Sequence, residues 1–124
     1  MAEIFVFGSN LEGRHKKGAA LCALKEHGAI MGQFTGLQGN SYAIPTKSSP
    51  WSTLPLITIN CYVATFLAFA KGSPDSVFNI TAIGCGLAGY EPRNIAPMFR
   101  LGTQLPNLRF PKEFLPYLDN DDWF

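Results

Sequence analysis

A chain of 124 residues fits one domain and can bury a core without disulfides or a structural metal. Hydrophobic residues make up 47% and charged residues 15%, which excludes a disordered or fibrous class. A surface so poor in charge predicts a ligand cleft or a second subunit, hence a homo-oligomer, covering part of it. The formal net charge of +1 disfavours nucleic acid as a general partner, which needs a basic face, so any anion recognition is expected to be local.

Ile4-Phe5-Val6-Phe7 is a continuous apolar run ended by Gly8-Ser9-Asn10, as expected of an inner strand buried on both faces. From Lys17 to about His27 the sequence favours a helix, with Ala20, Leu21 and Leu24 on its buried stripe and Gly28 as its stop. His27 falls where the helix dipole favours a cation. Residues 29 to 40 carry Gly32, Gly36 and Gly39 and are expected to form a loop. Ser41-Tyr42-Ala43-Ile44-Pro45 predicts a short strand closed by its proline, and a polar loop follows to Leu54.

Thr53-Leu54-Pro55 predicts a helix start with Thr53 as cap, and the helix runs through Phe69 to Gly72 with Ile59, Val63, Phe66 and Ala70 facing the core. The stretch Leu54 to Ala70 is broken by polar residues and falls short of the roughly 20 residues of a membrane span, so a buried helix and no membrane association are expected. Gly72-Ser73-Pro74-Asp75 is a turn, Val77 to Ile83 a second strong strand, and Glu91 to about Leu101 a third helix with Pro92 near its start. Asn107 to Phe110 predicts a last strand. Strands alternating with helices predict the α/β class, with a mostly parallel central sheet flanked by helices, over residues 1–124 as one domain. The acidic end Asp119-Asn120-Asp121-Asp122 is expected to be solvated, and Trp123-Phe124 to fold back on the core or touch another subunit.

Two glycine-punctuated loops carry the functional information. Gly8-Ser9-Asn10-Leu11-Glu12-Gly13-Arg14-His15-Lys16-Lys17-Gly18-Ala19-Ala20 and Ile83-Gly84-Cys85-Gly86-Leu87-Ala88-Gly89-Tyr90 each follow a strand-like run and precede a helix-like one. Backbone N–H groups at such turns point outward, and glycine lets a diphosphate approach the main chain. Two such loops on one small domain predict one nucleotide-like ligand. Neither is G-x-G-x-x-G nor a Walker loop, which argues against a Rossmann dehydrogenase or an NTPase. His15, His27 and the three cysteines lack zinc-site spacing, so neither metal nor cofactor is expected. The odd cysteine count without CxxC or a signal-peptide pattern predicts a reducing, cytoplasmic compartment.

Phe7 to Ala20 and Thr81 to Tyr90 together resemble the two ligand loops of macrodomains, the ADP-ribose-binding α/β module, in a shortened form of the bacterial and phage type. The resemblance implies a three-layer architecture and a protein working in the cytoplasm of a bacterium or infected host. It also implies that Asn10 hydrogen-bonds the distal ribose. Gly8, Ser9, Gly18 and Ala19 would line the site from the first loop, and Gly84, Cys85, Gly86, Leu87, Ala88 and Gly89 would offer backbone N–H groups to the phosphates. Leu37 to Thr46 resembles the segment that carries the next strand in compact relatives, and the adenine-reading residue is left unassigned.

Each singled-out residue has a plain structural alternative. Asn10 either contacts the ligand or ties its own turn. Arg14-His15-Lys16-Lys17 is either a solvated loop or an anion site, since basic residues before a helix oppose its dipole and an anion relieves the conflict. Tyr90 is either a core aromatic or a stacking surface for a ribose or base. Cys85 is either small filler or a nucleophile with His15 as its base. Ser9 with His15 lacks the G-x-S-x-G elbow and an acidic partner. The expected activity is binding of ADP-ribose or a related nucleotide, with hydrolysis at the distal ribose by Asn10 and His15 as the catalytic form. Glu12 is the other titratable group of the first loop. The alternatives are a sequestering protein for an ADP-ribose-derived signal, as in phage counter-defence, and a reader of RNA or poly-ADP-ribose.

Overall fold

The computed structural model describes residues 2–118, so the Asp119 to Asp122 segment and the Trp123-Phe124 pair lie outside the described residues. In chain order the elements are β1 (Ala2–Asn10), α1 (Gly18–Glu26), β2 (Gly36–Gln38), β3 (Ser41–Ser49), β4 (Ser52–Thr53), α2 (Leu56–Lys71), β5 (Ser76–Ile80), α3 (Pro92–Ile95) and β6 (Leu108–Arg109). A 3-10 helix at Ala96–Gln104 continues from α3, and another spans Lys112–Tyr117. The fold is α/β. Six strands form one mixed sheet in the order β2-β3-β1-β5-β6, with β4 paired to β3 off that path. The β1/β3, β1/β5 and β5/β6 pairs are parallel, while β2 and β4 run antiparallel to β3.

The unbroken apolar run of β1 has its reason in this position. Ile4 and Val6 point into the core beneath α2, and Phe5 and Phe7 into a second cluster beneath α1. Successive residues of a strand face opposite sides, so a strand covered on both faces has no polar position to spare. On α2, Ile59, Val63, Phe66 and Ala70 are fully buried, as their helical spacing predicts. Burying each large side chain of that stripe contributes about 1.5–3 kcal/mol.

Several boundaries differ from the sequence expectation, each for a local reason. Within the expected loop 29–40 lies β2, whose three residues pair with Ser41 to Ala43 of the neighbouring strand. β3 runs through Pro45, which sits between the segments that pair with β2 and β4 and beside a register irregularity at Ser9/Asn10, where a missing N–H is tolerated. α1 buries Ala20 and Ala23, and Leu21 and Leu24 are half-buried at its flanks. α2 starts after Pro55, and Thr53 donates instead to the Ala88 carbonyl at 2.9 Å. β5 ends at Ile80 because a tight turn, Ile83 N–H to Thr81 carbonyl at 2.7 Å, swings the chain off the sheet. The third helix is α-helical over one turn only and then tightens to 3-10 geometry. Among the described residues no helix is long and apolar enough to cross a membrane.

Candidate functional site

β1 and β5 are parallel neighbours whose chains leave the sheet toward opposite faces. The loop after β1 leads to α1, whose alanines pack on Phe7, whereas the loop after β5 leads to α3, whose Ile95 joins the α2-side core. Diverging loops leave a crevice beyond the carboxyl ends of the strands, the usual ligand position in open α/β sheets. A cleft of about 670 Å³ lies there, walled by residues 8–10, 14 and 16–20, by 81–84 and 86–88, and by Thr46, Lys47, Pro50 and Trp51.

Asn10 is buried at the end of β1, and its side chain organises the first loop. Its Oδ1 accepts from the backbone N–H groups of Glu12 and Arg14, and its Nδ2 donates to the Arg14 carbonyl, all at 3.1 Å. Gly13 has φ +68° and packs against the Gly32 backbone, where a Cβ would lie 2.4 Å from the Gly32 carbonyl carbon. His15 turns away from the cleft. It is fully buried edge-on to Phe7, with Nε2 3.1 Å from the Gln33 carbonyl and 3.2 Å from Gln38 Oε1. Two acceptors at Nε2 assign the ring proton to that nitrogen, and Nδ1 has no hydrogen-bond partner among the described residues.

This bracing leaves the cations facing outward. Arg14, Lys16, Lys17 and Lys47 line the cleft together with no carboxylate among the lining residues. Arg14 pairs with the exposed Glu12 at 3.0 Å, a contact worth little in solvent. α1 begins without a side-chain cap or an acid in its first turn, and the N–H groups of Gly18, Ala19 and Ala20 have no partner among the described residues.

The second loop is braced through its backbone. Cys85 N–H donates to Ala82, Gly89 N–H to Gly86 and Tyr90 N–H to Gly84. Gly84 holds φ +76°, and a Cβ there would sit 3.0 Å from Ile95 Cδ1. The N–H groups of Gly84, Gly86, Leu87 and Ala88 have no partner among the described residues, and these same four residues line the cleft.

Of the residues expected in the site, Gly8, Ser9, Asn10, Gly18, Ala19, Gly84, Gly86, Leu87 and Ala88 come together around the cleft, whereas His15, Cys85, Gly89 and Tyr90 do not line it. Cys85 packs against the core, where burial first and Glu113 second push its thiol up to about 11, the opposite of an activated nucleophile. Tyr90 packs on the same core and donates its hydroxyl to the Leu54 carbonyl at 2.8 Å. The wall at Thr46, Lys47, Pro50 and Trp51 comes from the β3–β4 hairpin, which the sequence suggested only as a polar loop with proline. Compared with protein-family models, with curated proteins and with solved structures, the chain finds no match.

Proposed function

We propose that the cleft binds ADP-ribose or a closely related nucleotide through its diphosphate, in the manner of a compact macrodomain-like module. One observation carries this reading: two sets of unpaired backbone N–H groups, on residues 18–20 and on residues 84 and 86–88, border one cation-lined cleft. Converging amides and cations without a carboxylate favour a phosphate-bearing anion. A volume of about 670 Å³ falls in the range of small-molecule sites. The remaining Nδ2 proton of Asn10 is the group that would reach a ribose hydroxyl.

Binding without turnover is the form the site favours. No imidazole or carboxylate lines the cleft among the described residues, and hydrolysis needs a group that takes a proton from water. A sequestering role for an ADP-ribose-derived signal follows from that composition. Calorimetric titration with ADP-ribose at moderate salt, with mass analysis of the recovered ligand, is the test. One-to-one binding with intact ligand is expected. Gly86→Val should abolish it in a folded protein, because a Cβ at Gly86 meets nothing within 4 Å and the added side chain fills cleft rather than core. Normal binding by that variant, or turnover at catalytic protein concentration, overturns the reading.

A further inference from the structure

We propose that Trp51 is the stacking platform for the planar base of the nucleotide, an inference that rests on the phosphate-binding reading above. Trp51 is 81% exposed, so the faces of its indole are open to a ligand. It lines the cleft and is the sole aromatic residue to do so among the described residues. Tyr90, the other aromatic next to the phosphate loop, is committed to the core and to Leu54.

The hairpin that presents Trp51 is fixed from three sides. Its own N–H donates to Ser49 Oγ at 3.2 Å, Lys47 Nζ donates to the Pro50 carbonyl, and Ser48 Oγ donates to the Ser52 carbonyl. The foot of the hairpin is tied to the second phosphate loop by the bond from Thr53 to the Ala88 carbonyl. The backbone that carries the indole is thus tied to the loop that bears the amides of residues 86–88. A ligand with its diphosphate on those amides extends one end toward the hairpin, where an indole face offers sequence-tolerant stacking to a purine. A braced hairpin limits the ordering that stacking requires to the Trp51 side chain itself.

The experiment titrates wild-type protein, Trp51→Ala and Trp51→Phe with ADP-ribose, with urea unfolding as a control for the fold. Trp51→Ala should raise Kd by about ten-fold to a hundred-fold, the range seen when a stacked aromatic is truncated, while Trp51→Phe stays within about three-fold. Unfolding should be unchanged in both, since the side chain touches no core. In a Trp123→Phe background, saturating ADP-ribose should quench the remaining indole fluorescence. Unchanged affinity in Trp51→Ala, equal loss in both variants, or saturation without quenching overturns the stacking role. Wild-type protein that does not bind ADP-ribose overturns the phosphate-binding reading, and this one with it.

Discussion

The two loops that flank the cleft reach the same end by different means. The loop after β1 is shaped by side chains: Asn10 gathers the turn, and His15 buries itself between Phe7 and Gln38, so that the neighbouring cations face outward. The loop after β5 is shaped by its own main chain, with successive turns that spend some amides on internal bonds and leave residues 84 and 86–88 unpaired. Side-chain bracing supplies charge, and main-chain bracing supplies close approach. The first wall therefore carries positive charge beside the open amides of residues 18–20, and the second carries open amides alone.

The comparison breaks most severely at Gly13. Gly13→Val forces φ +68° on a branched residue and places its Cβ inside the Gly32 backbone, so a loss of about 3 kcal/mol in urea unfolding is expected. Near-normal stability would mean that the first loop does not depend on the close approach of these two glycines.

Asn10 comes next. Asn10→Ala removes three hydrogen bonds and should cost about 2 kcal/mol with weaker nucleotide binding. Asn10→Asp keeps both acceptor contacts and should restore most of the stability, yet its negative charge among the cations should keep ADP-ribose binding weak. Equal affinity in Asp and Ala variants with equal stability would dissolve the distinction between bracing and binding.

The cations should separate the two loops without touching the fold. Replacing Lys16 and Lys17 together by alanine is expected to change stability by less than about 0.5 kcal/mol and to lower nucleotide affinity about ten-fold at low salt, with the difference shrinking as salt rises. A salt-independent loss would move the effect from charge to loop shape.

The smallest effect belongs to Cys85. With its thiol pushed up to about 11, roughly one molecule in a thousand carries the thiolate at pH 8. Alkylation should therefore consume the exposed Cys61 first and reach Cys85 only as pH rises toward 11. Cys85→Ser should bind ADP-ribose as the wild type does. Fast labelling of Cys85 at pH 7 would revive it as a reactive group.

What could be read from the sequence follows from how far each interaction reaches along the chain. The β1 run, the α2 stripe and the two glycine loops depend on residues a few positions apart, and their periods and turn residues are visible directly. Cys85 and Tyr90 show the limit, because membership of a glycine loop does not say whether a side chain faces ligand or core. His15 shows it too: its partners Gln33 and Gln38 lie far along the chain, and nothing near His15 marks it as a buried brace.

The sequence by itself determined the α/β class, the central apolar strand, the amphipathic α2 and the presence of two turns rich in unpaired amides, since local backbone preference and periodic burial decide those. Tertiary structure alone decided that β1 and β5 lie side by side with their loops diverging, that the β3–β4 hairpin brings Pro50 and Trp51 to the cleft, and that His15 is sealed away from it. Those arrangements rest on strand pairing and packing between segments distant in sequence, whose closeness no local pattern encodes.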